Sequence, residues 1–491
     1  MSASLSGKSN SQFLVDGPIV VKDVYINATK EWKTVLIGGL GWGGRGYYVL
    51  DITDEWNPKH LFSFENDYKN KQVIYWSETG YKRTYDYADA PDNLDYSNIG
   101  NTWVRPSIML LPYQDETDST FKQRYTMVFG AGYSGGLATD LGNFVYVLDF
   151  EPSSSTYTDP VYGGSYRTYS GGNVLKKVEI PKDSTSDIPA GVTANMTVVG
   201  ADNISIPTDK TSLTYYGGMA YFLDLQGQFW KLDLSKTSLT EANSTMYSLN
   251  KAFRTEGTVA NDRYGYNQVA STLVQSTSPI STNLFHYFGT GDQAHIQRRD
   301  ATINNRIYGV KDSDWPATNL ATTGTNKTVT SSGILNVDSV SCDEKNVPGW
   351  YANIKAKSSL DNSFGDFIKN IGRPVVANKD VYFTNYRPED KECPVYGASE
   401  IIVMKDSCGG SSTAFSTGEG LTTAPVISKK GNIYIGIGNI RKGDTLEGKG
   451  ETGLTGSASA GNLLKIGSSD VETTSSTPGI NFKTWREIRD Y

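Results

Sequence analysis

The sequence predicts an all-β fold of β-propeller type, and three observations predict it. First, the 491 residues are rich in Tyr (31) and Gly (50), with abundant Ser and Thr. Long Leu/Ala/Glu/Lys runs are missing, so strands and turns are favoured over helices. Second, one hairpin pattern recurs along the chain. Third, the copies stand several tens of residues apart, which leaves room between them for further strands.

The pattern is a strand-like apolar run, a glycine-containing turn and a second strand of alternating Tyr, Val and Leu that ends in Asp. VLIGGLGWGGRGYYVLDITD (35–54) is the first copy and TMVFGAGYSGGLATDLGNFVYVLDFE (126–151) the second. MAYFLDLQGQFWKLDLS (219–235) compresses the pattern around LQGQ, and the stretch at 286–313 carries a longer insertion. A fifth copy runs over 380–410, and a sixth, with a degenerate end, over 432–470. Between them lie RPSIMLLPY (105–113), GRPVVAN (372–378) and TAPVIS (423–428), which supply further strands. Four strands per repeat and six or more repeats make a propeller, with the apolar strand inside the strand that ends in Asp. A large β-sandwich array is the weaker alternative, because sandwiches do not repeat one hairpin so regularly. Polar stretches at 153–172 and 321–333 read as surface loops, not linkers. The organisation expected is a single propeller domain over 12–491 behind a flexible N-terminal segment, 1–11.

Several function classes are excluded or weakened. A formal net charge of −7 argues against nucleic acid as a main partner. No run reaches the length of a membrane span. The first residues, MSASLSGKSNSQFLVDG, lack the apolar core of a signal peptide, so the chain is expected either to stay inside the cell or to be part of a longer precursor. The glycine-rich stretch at 38–46 is followed by YYVLDITD, which is strand-like. A dinucleotide site needs a helix there, and a P-loop needs Gly-Lys-Ser/Thr. Its glycines are better read as permitting tight backbone turns at the rim, with Trp42 and Arg45 at the tip where they could touch a partner.

The candidate polar sites are modest. Asp86, Asp89, Asp92 and Asp95 recur in one Pro- and Asn-containing loop. Oxygen-rich loops suit Ca²⁺, but the EF-hand spacing is absent and a solvated acidic loop is the better reading. Asp202, Asn203 and Asp209 offer a second set of oxygen donors with irregular spacing. His286 and His295 flank the Gly-Thr-Gly-Asp turn that holds Asp292, close to Arg298 and Arg299. No GxSxG elbow or HExxH helix accompanies them, so no catalytic residue is assigned. Tyr47, Tyr48, Phe229 and Trp230 are read as space-filling aromatics between packed blades. Of the three cysteines, Cys393 and Cys408 are close enough in sequence to bridge in an oxidising compartment, or to remain separate thiols, and Cys342 is left over.

In order along the chain, the residues resemble the C-terminal propeller domain of the PilC/PilY family of type IV pilus tip adhesins and biogenesis factors. FLVDGPIVVKDVYI with EWKTVLIGGLGWGGRGYYVLDITD is similar to the family's opening, and GNTWVRPSIMLL with VFGAGYS to its next blade. The family's Asp-Leu-x-Gly-x-x-Trp-x-x-Asp blade falls on Asp224, Leu225, Gly227, Trp230 and Asp233. YFGTGD with RIYGVKDSDW, the Cys- and Gly-containing stretch from 371, and WREI at 485–488 complete the resemblance.

The resemblance implies a modified seven-bladed propeller, of the quinoprotein-alcohol-dehydrogenase-like superfamily, with long loop insertions. It implies a non-enzymatic, pilus-tip-associated protein that supports pilus assembly, opposes retraction and mediates adhesion. Its partners would be minor pilins or the tip complex and surface or host receptors. Its place would be extracellular, at the pilus tip or outer membrane, as part of a secreted precursor. The family's separate N-terminal adhesive region has no counterpart in the sequence. Some members hold Ca²⁺ in an Asp-rich loop before the Asp-Leu-x-Gly blade. Here only Asp202, Asn203 and Asp209 stand in that place, so calcium is the one metal expected, and no organic cofactor is. The family's extracellular setting favours a Cys393–Cys408 bridge. The runner-up is a quinone-dependent dehydrogenase of the same superfamily, which the missing Trp-docking motifs and vicinal cysteines weaken. A third reading is a glycan-binding propeller.

Overall fold

The computed structural model describes residues 15–114, 121–134, 141–152, 156–158, 165–167, 171–200, 216–236, 246–277, 280–312, 315, 330–338, 348–354, 367–388, 397–410, 413–427, 433–439, 455–459 and 463–467. Among these the regular structure is strand, apart from 3-10 turns such as Asp92–Leu94 and Ser331–Gly333. The strands form successive sheets along the chain, antiparallel except for a short parallel pairing of Leu335–Asn336 with Trp350 and Tyr351.

The repeated hairpins are the two middle strands of these sheets. In the first sheet Glu31–Gly39 pairs with Gly46–Asp51, flanked by Ile19–Ile26 and Lys59–Asp67. In the second, Phe121–Gly130 and Phe144–Asp149 lie between Ser107–Gln114 and Val174–Glu179. In the third, Tyr216–Leu223 and Gln228–Lys236 lie between Thr197–Gly200 and Leu249–Arg254. In the fourth, Ile280–Gly289 and Arg306–Asp312 lie between Ala270–Thr277 and Gly349–Asn353. The fifth is built on Asp380–Arg387 and Ala398–Lys405, and the sixth on Ile433–Asn439 and Leu463–Gly467. A short pairing of Glu419 with Asn439 and Thr422 with Ile437 joins the last two into one nine-stranded sheet.

Alternation of side chains explains why the sheets stack. In the third sheet Met219, Tyr221, Leu223 and Phe229 enter a core shared with Leu284, Phe288, Tyr308 and Val310 of the fourth. Their neighbours Ala220, Phe222, Trp230 and Leu232 point the other way, into a core shared with Val128, Val145 and Val147 of the second. The fourth sheet repeats this, sending Phe285, Tyr287 and Ile307 toward Val381, Phe383 and Ile402 of the fifth. A strand buried on both faces needs apolar residues at consecutive positions, which is why these runs read as nearly continuous. Each large side chain so buried contributes about 1.5–3 kcal/mol. Sheets that share a separate core with each neighbour are the blades of a propeller.

Two departures from the sequence reading stand out. The first sheet has six strands, because Gln72–Trp76 and Lys82–Asp86 are added at its edge. Tyr75 of this extension, Phe62 of the fourth strand and Tyr96 of the following segment meet the second blade. The Tyr75 and Tyr96 hydroxyls donate to the Gly171 and Gly172 carbonyls at 2.9 and 2.7 Å. The stretch 153–172, read as loop, contains a small hairpin in which Thr156–Thr158 pairs with Ser165–Arg167. Of the expected strand-terminal aspartates, Asp51, Asp149 and Asp312 end their strands, Asp406 lies just past its strand, and Asp233 lies three residues inside a strand that runs on to Lys236. In the first two blades the Asp takes a basic residue from the adjacent strand, Lys33 at 3.0 Å and Arg124 at 2.8 Å. Lys33 and Arg124 each lie two residues before the residue opposite the Asp, so register places the ion pair.

Candidate functional site

Within a blade, the turn between the middle strands lies at the same end as the segment leading into the first strand. Ser107 opposite Val128 shows this for the second blade. Turns and lead-in segments are therefore neighbours, and backbone hydrogen bonds stitch them blade to blade. The Leu40 and Gly41 amides donate to Thr102 Oγ1 at 3.0 and 3.2 Å. Gly132 N donates to Val192 O, Leu225 N to Gly191 O, Gly265 N to Leu225 O and Gly291 N to Tyr264 O. Gly132 sits at φ +90°, and a Cβ there would lie 2.1 Å from the Asn101 carbonyl, so only glycine fits this crossing.

The end thus assembled carries an exposed aromatic group. Trp42, from the first turn, is 45% exposed. It meets Trp103 of the next lead-in segment and Tyr133 of the second turn edge-on, with ring centroids 5.7 and 6.2 Å away. Asp16 Oδ1 accepts from the Trp42 amide at 2.8 Å and fixes the turn. Arg45, expected beside Trp42 at the tip, instead turns inward, with its guanidinium 5.5 Å from the Tyr68 ring centroid. Its carbonyl accepts from Asn66 N, which holds it to the neighbouring strand.

The surface continues to the Gly-Thr-Gly-Asp turn. Asp292 is 2% exposed. Its Oδ1 accepts from Ala294 N at 2.9 Å, His295 N at 3.3 Å and the Tyr266 hydroxyl at 3.4 Å, while Oδ2 meets His295 Nδ1 at 2.7 Å. Burial, and next the Asp292 charge, push the hydroxyls of Tyr133, Tyr264 and Tyr266 upward. Asp292 therefore sits among three tyrosines from the second turn and the fourth lead-in segment. Behind it, Asp262 and Lys369 form a fully buried pair at 2.7 Å. Asn305 Nδ2 and Asp292 N complete the partners of Asp262 Oδ2 at 2.9 and 3.2 Å. Arg298 Nη1 lies 3.8 Å from the other oxygen.

The structure separates residues that the sequence placed together. His286 does not share the turn with His295. It lies fully buried between the third and fourth blades, its ring 4.1 Å from Tyr221 and its Nδ1 2.8 Å from Ser271 Oγ. Burial lowers its pKa to about 3, with the Asp312 charge opposing and Lys231 assisting. Arg299 leaves Arg298 and packs toward the Phe367 ring at 5.4 Å. Asp292, through the Ala294 and His295 amides and the His295 ring, orients the turn.

The four loop carboxylates also disperse. Asp86 ends a strand and accepts from Gln72 Nε2 at 2.9 Å. Asp95 pairs with Lys177 and accepts from Ser97 N at 3.0 Å. Burial raises the Asp95 pKa, but Lys177 and Ser97 outweigh it and hold the carboxyl below its usual range. Asp202, Asn203 and Asp209 lie outside the described residues. Cys408 is disulfide-bonded, and both other cysteines, Cys342 and Cys393, also lie outside them.

The Asp-Leu-x-Gly-x-x-Trp motif is a hairpin lock. Asp224 Oδ1 accepts from Gln228 N at 2.9 Å, and Oδ2 accepts from Gln228 Nε2 and Trp230 Nε1, both at 2.8 Å. Gly227, at φ +74°, lets the chain reverse between them. Desolvation dominates these donors and raises the Asp224 pKa to about 7. Sequence reasoning found this motif, Trp42 and Asp292. It missed Trp103, Tyr133, Asp262 and Lys369, which carry no local signature and become neighbours only through the stacking of blades.

Comparison with known proteins supports the resemblance drawn from the residues. The family model described as the PilY1 beta-propeller domain matches residues 5–161. A type IV pilus biogenesis factor PilY1 homolog from Xylella fastidiosa is 22% identical over 408 residues, 81% of this chain and 23% of that protein. The type IV pilus biogenesis factor PilY1 of Pseudomonas aeruginosa is 25% identical over 239 residues, 49% of this chain and 14% of its own length. The chain thus spans less than a quarter of these relatives. The crystal structure of the Pseudomonas aeruginosa PilY1 C-terminal domain matches 86% of this chain and 83% of its own, with 16% identity and a TM-score of 0.48.

Proposed function

We propose that this chain, a relative of the PilY1 β-propeller domain, is a pilus-associated interaction protein that supports type IV pilus assembly. The sequence relation carries this reading: the relatives matched over 81% and 49% of the chain are named pilus biogenesis factors. The turn-end surface of exposed Trp42 with half-buried Trp103 and Tyr133 supports it as the contact, since Trp and Tyr are enriched where proteins meet. Minor pilins or the tip complex are the partners, and opposition to retraction and adhesion to surfaces or cells follow from that position. The setting is extracellular, at the pilus tip or outer membrane. Among the described residues no helix is long and apolar enough to cross a membrane. Calcium at Asp202, Asn203 and Asp209 is the metal this reading includes.

The test is genetic and biochemical together. Cells lacking the protein should lose most of their surface pili, and pili sheared from wild-type cells should carry the chain with minor pilins. A deletion that leaves piliation and adhesion unchanged, with the chain absent from sheared pili, sinks the proposal.

A further inference from the structure

The two faces of the first blade are unlike. Tyr47, Val49, Phe62, Phe64, Val73 and Tyr75 enter the core shared with the second blade. Side chains alternate along a strand, so Tyr48, Ser63, Glu65 and Trp76 point to the other face. Register sets them in rows across three strands. Tyr48 is opposite Ser63 and Ser63 is opposite Trp76, so a small side chain lies between two aromatic ones. In the next row Glu65 stands opposite Gly46, which has no side chain to cover it.

These four side chains, with Leu40 and His60, line an open cleft of about 360 Å³ whose walls come wholly from the first blade. Small-molecule sites span roughly 300–1,000 Å³. The Tyr48 ring is seated on Gly38, where a Cβ would lie 2.1 Å from Tyr48 Cζ. His60 and Ser63 occupy each other: His60 Nε2 meets Ser63 Oγ at 2.6 Å, and Nδ1 meets the Ser77 carbonyl at 3.0 Å. Glu65 is the one carboxylate of the lining, and no Lys or Arg lines it. Among the described residues no donor bonds to the Glu65 carboxylate and no base pairs with it; burial and then the Asp67 charge raise its pKa, against Lys82 and Arg45. Arg45 turns onto Tyr68. Lys82, opposite Trp76 on the edge strand, holds its ammonium 5.8 Å from the Trp76 ring centroid.

We propose that this cleft binds a small organic ammonium ion, with Glu65 as its counter-charge and the Tyr48 and Trp76 rings as its walls. An aromatic face attracts a cation, most strongly where water is partly excluded. A half-buried carboxylate without a partner gains by taking one, whereas an anion in the cleft would be repelled by it. None of these residues belongs to the surface of Trp42, Trp103 and Tyr133, so the failure of this site and that of the pilus proposal are distinguishable.

The purified chain would be titrated calorimetrically at fixed ionic strength with choline chloride and, separately, with Nα-acetyllysine amide. The wild type is expected to bind choline, and Glu65→Gln and Trp76→Leu each to weaken that binding at least tenfold. Lys82→Gln should bind choline at least as tightly as the wild type, because a competing ammonium is gone; loss of binding there would contradict a cation site. Without ligand, Glu65→Gln should melt no lower than the wild type, since it removes an unpaired charge, so its weaker binding cannot be ascribed to unfolding. Failure of the wild type to bind choline, a Glu65→Gln variant that binds as the wild type does, or binding of the lysine derivative without choline would overturn the site.

Discussion

Two buried lysine–aspartate pairs hold neighbouring blades together, and they are finished differently. Lys231 of the third blade meets Asp312 of the fourth at 2.7 Å inside an aromatic core. Tyr221 donates to the same oxygen at 2.7 Å, and the Trp315 amide to the other at 3.2 Å. Burial raises the Asp312 pKa, but Lys231 and the other partners outweigh it and hold the carboxylate ionised. Lys369 and Asp262 are as deeply buried, but among the described residues Asp262 Oδ1 accepts no hydrogen bond, and Arg298 Nη1 lies 3.8 Å from it. The first pair closes a core. The second lies behind the turn-end surface, where the His295 side chain is exposed. What differs is whether each carboxylate oxygen receives a hydrogen-bond donor from the surrounding blades.

Breaking the closed pair should cost most. Lys231→Met leaves Asp312 charged in an apolar core, so unfolding stability should fall by about 3–5 kcal/mol. Removing Asp312 as well, in Lys231→Met/Asp312→Leu, should recover most of that loss, measured by denaturant unfolding. Lys369→Met should cost less, about 2–3 kcal/mol, because Arg298 stands ready to move onto Asp262. Arg298→Ala in the Lys369→Met background should then bring the cost up to that of Lys231→Met. If Lys369→Met alone costs as much, the open pair is as closed as the other.

A smaller effect belongs to the hairpin lock. Because the folded pKa of Asp224 is raised to about 7, its contribution is full below the unfolded pKa near 4 and is lost as pH rises through 7. Asp224→Asn sets an amide against the Trp230 and Gln228 donors and should cost about 1–3 kcal/mol at pH 5. The difference from wild type should shrink at pH 8. Denaturation midpoints at the two pH values measure this, and an equal difference at both would refute it.

The middle of every blade was legible in the sequence because those strands are buried on both faces. Tyr221–Phe222 and Phe229–Trp230 are adjacent aromatics that serve opposite cores, and no surface strand would carry them. The outer strands were harder to see. Val174–Glu179 and Lys82–Asp86 are half polar, as edge strands are, and Lys82–Asp86 runs into the acidic stretch that read as a loop. Trp42 was legible from the glycines around it, but its companions were not: Trp103 and Tyr133 are 61 and 91 positions away. Lys231 and Asp312, in different blades, show the same limit, since register within a blade does not determine which side chains meet between blades.

The central proposal is that the turn-end aromatics, Trp42 foremost, contact the pilus. Trp42 is 45% exposed, and truncating it to alanine should change stability by no more than about 0.5 kcal/mol. The most direct measurement is recovery of the full-length protein with sheared pili from cells expressing either wild type or Trp42→Ala/Trp103→Ala, with thermal unfolding of both forms alongside. The account predicts a folded variant whose recovery with pili falls at least tenfold. A folded variant recovered as fully as the wild type would contradict it.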